Sequence, residues 1–110
     1  MSDETLLRLA AEAALAAGKA IMEVYSRQFE VFVKDDNSPV TKADLNASRI
    51  INDTLRPSQL PFVCEEDLHY TYAERRLFGD YWLVDPLDGT AEFVKRNGEF
   101  TVNIALVREC

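Results

Sequence analysis

Cysteine, histidine and basic residues are scarce in this 110-residue chain, and each scarcity removes a class of function. Two cysteines, Cys64 and Cys110, cannot make the disulfide framework that staples small secreted domains. Cys64 falls in an apolar run and reads as an inert packed thiol, and Cys110 is the last residue. The lone histidine, His69, has nothing near it that suggests a catalytic triad or a zinc site. Twelve basic against nineteen acidic residues leave a net charge of −7, the opposite of the basic footprint that nucleic-acid polymers require. No apolar run approaches the ~20 residues that cross a bilayer. The start, Met1-Ser2-Asp3-Glu4, lacks the basic opening of a signal peptide. The expectation is a cytoplasmic chain, with a peripheral membrane contact left open. Repeats, low-complexity tracts and linkers are also lacking.

What remains has the composition of a soluble globular domain, 47% hydrophobic and 28% charged, long enough for one small core. Leu6, Leu9, Ala10, Ala13, Ala17, Ile21 and Val24 recur at helical spacing and predict a helix from Asp3 to Arg27, with small alanines allowing close packing. Gly18 costs that helix about 1 kcal/mol relative to alanine, which suggests a backbone contact there. Phe29 to Lys34 alternates like a strand, and Asp35 to Pro39 is turn chemistry. A second helix is expected from Lys42 to Leu55, with Ala47, Ile51 and Leu55 as its apolar stripe and Pro57 beyond its end. A short strand near Pro61 to Cys64, a short helix in His69 to Leu77 and a strand from Tyr81 to Val84 follow. Thr90 to Arg96 is expected to make helical turns, and Asn97-Gly98 a hairpin-type turn. Phe100, Val102, Ile104 and Leu106 then alternate with Thr101, Asn103 and Ala105 as a strand.

The most informative stretch is Tyr81-Trp82-Leu83-Val84-Asp85-Pro86-Leu87-Asp88-Gly89-Thr90. An apolar strand runs into two aspartates three positions apart. Pro86 forces Asp85 to be extended and is expected to stop the strand. Gly89 permits a turn that residues with a Cβ resist. Two carboxylates, the Leu87 carbonyl and the Thr90 hydroxyl thus gather in one turn, a density of hard oxygen donors that suits Mg²⁺. Asp-Gly and Asp-Pro are also ordinary turn dipeptides, and alone they would favour a plain turn. Against that stands a second acidic group, Glu65-Glu66-Asp67, at the end of the apolar run Leu60 to Cys64. If those two strands are parallel and end together, Glu65 lies beside Asp85. Upstream, Thr41-x-x-Asp44 fits a capping box at the start of the second helix.

Asp85-Pro86-Leu87-Asp88-Gly89-Thr90 resembles the signature of the lithium-sensitive, Mg²⁺-dependent phosphatases typified by inositol monophosphatase. The run from Tyr81 to Val107, with Glu92-Phe93-Val94-Lys95-Arg96-Asn97-Gly98-Glu99-Phe100, resembles more specifically the 3'(2'),5'-bisphosphate nucleotidase branch, the CysQ-type enzymes. Asp36-Asn37-Ser38-Pro39-Val40-Thr41-Lys42-Ala43-Asp44 and Glu65-Glu66-Asp67 agree, in the family's order.

The resemblance implies an α/β fold: an α+β layered sandwich in which two long helices pair with a largely antiparallel sheet. It implies that residues 1–110 are the N-terminal metal-binding portion of such a phosphatase. Family members are more than twice as long, and their later half supplies a further metal-ligand aspartate in a Trp-Asp motif and most base and sugar contacts. Self-association through surface left by that absent half is a further expectation. By resemblance, Glu65, Asp85 and the Leu87 carbonyl hold one Mg²⁺, Asp85 bridges to a second that Asp88 also binds, and Glu65 touches a weaker third site. Gly89 and Thr90 present backbone N–H groups to phosphate. The Thr90 hydroxyl, with Asp44, positions the attacking water, beside the plain capping roles that both residues can fill.

Bound Mg²⁺ also reconciles an acidic chain with an anionic substrate, because the metal inverts the local charge. The implied reaction is removal of the 3'-phosphate of adenosine 3',5'-bisphosphate to give AMP. Inositol monophosphatase activity, or a non-catalytic fragment that binds metal or associates with itself, are the alternatives. Lys95 and Arg96 read as solvated surface or as contacts to a second phosphate. Two positions depart from the family pattern: Cys64 stands where serine is common, and Ala91 where nucleotidases usually have lysine.

Overall fold

The computed structural model describes residues 1–26, 31–33, 39–64, 71–75, 77–90, 95 and 98–108, and the side chains of 31–33, 39, 40, 72 and 75 lie outside that description. Helix α1 spans Asp3–Tyr25. Ser2 caps it by accepting from the Thr5 N–H at 3.2 Å, and Asp3 and Glu4 sit in the first turn, where the helix dipole favours acids. It stops two residues short of the expected Arg27, with Ser26 closing it through an N–H···O bond of 3.1 Å to Met22. Helix α2 spans Lys42–Leu55 as its sequence signals predict. Its end is set by Ser58, whose hydroxyl donates to the Leu55 carbonyl at 2.6 Å and accepts from Trp82 Nε1 at 2.9 Å. One side chain therefore closes a helix and fixes the rotamer of the largest core residue.

The two helices pack face to face through small residues. Ala13 and Ala17 of α1, and Ala43 and Ala47 of α2, are all fully buried, so nothing bulkier than a methyl separates the backbones there. Leu6, Ile21 and Val24 extend the contact on one side, Ile51 and Leu55 on the other, and Trp82, Val84 and Leu87 close it from the sheet. Gly18 is not part of this contact. A Cβ built on it meets nothing within 4 Å, so the expected backbone approach is absent. Gly18→Ala is accordingly expected to stabilise the chain by about 0.5–1 kcal/mol, because the helix gains propensity and meets no clash. Thermal unfolding checks this, and a lowered melting temperature would contradict it.

The strands form two sheets. Strands β1 (Val31–Val33) and β2 (Pro39–Thr41) pair antiparallel, with Phe32 opposite Val40. The second member of this hairpin was not anticipated, since Pro39 reads as turn chemistry and Thr41 as a helix cap. Strands β3 (Phe62–Cys64), β4 (Tyr81–Asp88) and β5 (Thr101–Val107) form a mixed sheet in the order β3-β4-β5, parallel on one side of β4 and antiparallel on the other. Helix α3 is the four residues Tyr72–Arg75, shorter than the predicted His69 to Leu77, and His69 lies outside the described residues. On β5 the exposed Thr101, Asn103 and Ala105 alternate with the half-buried Val102, Ile104 and Leu106, the period-2 pattern of a strand with one covered face. No described helix is long and apolar enough to cross a membrane.

Candidate metal centre

Pro86 does not stop the strand. Pairing continues to Asp88, and the proline is absorbed by a β-bulge. Asp85 lies opposite Asn103 and Asp88 opposite Thr101, so three residue steps on β4 oppose two on β5. Proline is tolerated at a bulge because the ladder is already interrupted there. The extra residue has a stereochemical consequence. Strand residues three apart normally point to opposite faces. Here Pro86 and Leu87 are both buried, whereas Asp85 is half-buried and Asp88 exposed. The bulge thus returns Asp88 to the face that carries Asp85, and puts the two carboxylates and the Leu87 peptide in one short arc.

The turn after the bulge is equally constrained. Gly89 has φ +92°, and a Cβ there would lie 2.7 Å from the Glu99 carbonyl oxygen, so only glycine fits. Thr90 follows in helical conformation. Its Oγ1 lies 2.8 Å from Asp44 Oδ1 and 3.1 Å from the Leu87 carbonyl oxygen. A threonine hydroxyl has one proton to donate. A carboxylate at the shorter distance is the stronger acceptor, so the proton goes to Asp44, and the Leu87 carbonyl keeps its lone pairs.

Asp44 itself is fully buried at the third position of α2. Its Oδ2 accepts from the Thr41 N–H and from Thr41 Oγ1, each at 2.8 Å. The two oxygens have divided work: Oδ2 caps the helix, and Oδ1 holds Thr90 from 46 residues away in sequence. The capping role and the contact with Thr90 therefore coexist on one side chain. A buried carboxylate needs such full hydrogen bonding to offset its desolvation.

The parallel register sets Phe62, Val63 and Cys64 opposite Trp82, Leu83 and Val84. Strands β3 and β4 are parallel, but they do not end together: β3 ends at Cys64 opposite Val84, and β4 runs on to Asp88. Glu65, the residue after Cys64, lies outside the described residues, as do Ala91 and Arg96. Lys95 is exposed. Cys64 is buried and not in a disulfide, 3.4 Å from Ser48 Oγ, in keeping with a packed rather than a reactive role. Among the described residues no three His, Cys, Asp or Glu side chains converge, so the donors in hand are Asp85, Asp88 and the Leu87 carbonyl. These are all hard oxygens, the donor type that Mg²⁺ takes. One neighbour was not singled out from the sequence: Asn103 Nδ2 donates to Asp88 Oδ2 at 2.9 Å. Only the bulged register, which depends on two strands at once, brings Asn103 to Asp88.

The sequence profile of the inositol monophosphatase family matches residues 2–109. The chain belongs to that family. Within it the chain falls in the CysQ branch: it is 54% identical over 95 residues to the 3'(2'),5'-bisphosphate nucleotidase CysQ of Shigella flexneri, covering 83% of this chain and 38% of the relative. The crystal structure of CysQ from Bacteroides thetaiotaomicron superposes with a TM-score of 0.77 at 48% identity, over 92% of this chain and 37% of that one. The extragenic suppressor protein SuhB of Bartonella henselae gives a TM-score of 0.81 at 28% identity, over 94% and 41%. The two helices and the mixed sheet are those of the N-terminal part of the family fold. The chain spans about two fifths of the length of these relatives.

Proposed function

We propose that this chain carries the Mg²⁺-binding, water-positioning face of a 3'(2'),5'-bisphosphate nucleotidase. The reaction is hydrolysis of the 3'-phosphate monoester of adenosine 3',5'-bisphosphate, giving AMP and inorganic phosphate. The observation that carries the reading is the β4 bulge, which turns Asp85, the Leu87 carbonyl and Asp88 into one arc directly before the Thr90–Asp44 pair. Glu65, Asp85 and the Leu87 carbonyl would hold one ion, and Asp85 and Asp88 a second. Bound Mg²⁺ supplies charge neutralisation at the phosphoryl oxygens and lowers the pKa of a coordinated water.

The protein groups do the rest. Thr90 Oγ1 donates its hydrogen bond to Asp44, which leaves its lone pairs to accept a hydrogen bond from the attacking water. Asp44 fixes the direction of that hydroxyl while its other oxygen is anchored on Thr41. Gly89 and Thr90 present backbone N–H groups to the phosphate, at a turn no larger residue can make. The 54% and 48% identities to CysQ proteins, and the Glu92 to Phe100 run, favour the nucleotide over an inositol phosphate as substrate. Self-association is proposed as well, because Leu7, Leu15 and Met22 on α1 and Leu77 stand exposed.

The test is a chimera in which residues 2–109 replace the matching segment of the Shigella flexneri relative. By the family resemblance, the relative's later half supplies most base and sugar contacts, so the comparison is with the unaltered relative. With Mg²⁺ present, kcat/KM for adenosine 3',5'-bisphosphate is expected to stay within about tenfold of it, under ~1.4 kcal/mol in transition-state stabilisation, with the preference over inositol 1-phosphate retained. Loss of that preference on bringing in residues 2–109 would remove the nucleotidase assignment. Loss of all turnover would favour a metal-binding segment without catalytic function.

A further inference from the structure

We infer that Asn103 is a positioning residue for the Asp88 carboxylate, and that it holds this carboxylate ready for a divalent cation. The inference rests on the metal-site reading above and adds to it a residue that lies on a different strand.

The geometry fixes both ends of the Asn103 amide. Asp88 Oδ2, 2.9 Å away, belongs to an acceptor-only group when ionised, so it must receive the Nδ2 donor. Thr101 Oγ1 lies 3.3 Å from Asn103 Oδ1 and can donate to it. A flipped amide would set oxygen against oxygen at Asp88, so these partners select one orientation. Thr101, Asn103 and Asp88 form a short chain of hydrogen bonds across the bulge, on the exposed face of the sheet. Asn103 is also the residue directly opposite Asp85 in the register. It is therefore tied to both positions, pairing with Asp85 in the register and bonding the side chain of Asp88.

Burial decides what such a bond is for. All three side chains are exposed, and an exposed side-chain hydrogen bond contributes little to folding. A carboxylate on a strand end can rotate about χ1 and χ2, however. Binding a cation through Oδ1 requires it to stop rotating. The Asn103 bond to Oδ2 selects a rotamer before the cation arrives and leaves Oδ1 available. Partners that orient a ligating carboxylate in this way typically change metal affinity by 10–100-fold when removed, while fold stability barely moves.

The test uses the 110-residue chain and Mg²⁺ alone, followed by isothermal titration, with Asp88→Asn as the control. Asn103→Ala is expected to weaken Mg²⁺ binding about 10-fold while the melting temperature stays within about 2 °C. Asn103→Gln keeps the amide donor and is expected to recover part of that loss. In the unaltered chain the Asn103 side-chain amide resonances, identified by their disappearance in Asn103→Ala, are expected to shift on adding Mg²⁺, and not to shift in Asp88→Asn. If Asp88→Asn weakens binding and Asn103→Ala does not, the positioning role is overturned and the metal site stands. If neither variant changes binding, or the unaltered chain takes up no Mg²⁺, the metal-site reading falls and the inference with it. A drop of more than about 5 °C in Asn103→Ala, with no amide shift on adding Mg²⁺ to the unaltered chain, would assign Asn103 to the fold and overturn the proposal.

Discussion

Asp85→Asn in the chimera is expected to lower turnover of adenosine 3',5'-bisphosphate about 10³-fold, with the Mg²⁺ concentration for half-maximal rate rising as well. The substitution keeps size and shape, removes one negative charge and replaces one acceptor oxygen by an amide donor. On the proposed site that charge is shared by two cations, so one change weakens both. A thousandfold corresponds to about 4 kcal/mol of lost transition-state stabilisation, a reasonable cost for disturbing metal-based charge neutralisation. Folding should be spared, because Asp85 is only half-buried and the bulge is set by Pro86, Leu87 and the register with β5. The measurements are phosphate release against Mg²⁺ concentration and thermal unfolding of the same preparation. An Asp85→Asn chimera with unchanged rate and unchanged Mg²⁺ dependence would remove Asp85 from the metal site.

Local chemistry made much of this fold readable. The bounds of α2 follow from Thr41-x-x-Asp44 at one end and the Pro57 region at the other, and the structure has it at Lys42–Leu55. The β5 alternation and the existence of β3 and β4 were visible as apolar patterns, whereas their parallel pairing entered only as a condition. The misjudged strand end at Pro86 shows where local reading stops. Proline's lost N–H and its effect on the preceding residue argue for termination within one strand. Whether a lost donor ends a ladder or is accommodated in a bulge depends on the partner strand, which begins 13 residues after Asp88. Asn103 went unnoticed for the same reason, since its contact with Asp88 exists only after that register is set. Gly18 is the opposite case. A glycine in a helix suggested a close approach, but the helices meet through Ala13, Ala17, Ala43 and Ala47 instead. Asp44 shows a third pattern. The capping box accounted for the residue fully, yet a carboxylate has two oxygens, and the second was free to reach Thr90.

The 110-residue chain by itself is expected to hydrolyse adenosine 3',5'-bisphosphate at least ~10³-fold more slowly than the chimera, on the tenfold per ~1.4 kcal/mol relation. Asp85, the Leu87 carbonyl and Asp88, with Glu65, give enough oxygen donors to gather one Mg²⁺. The family resemblance takes the remaining aspartate of the second site, and most contacts to base and sugar, from sequence that this chain does not contain. The chain matches only 38% of the Shigella flexneri relative and 37% of the Bacteroides thetaiotaomicron structure. Losing one metal site costs several kcal/mol of transition-state stabilisation, and losing the nucleotide pocket removes the binding energy that orients the phosphate. These losses fall on kcat as well as KM, so raising substrate should not restore the rate. Mg²⁺ binding to the chain should persist, weakened. The assay measures phosphate release by the purified chain and by the chimera at matched Mg²⁺ over a range of protein concentrations. Turnover by the chain within tenfold of the chimera would sink the incomplete-site argument. If that activity rose more than linearly with protein concentration, two copies would be completing one site between them, and the exposed Leu7, Leu15 and Met22 of α1 would be the first positions to alter.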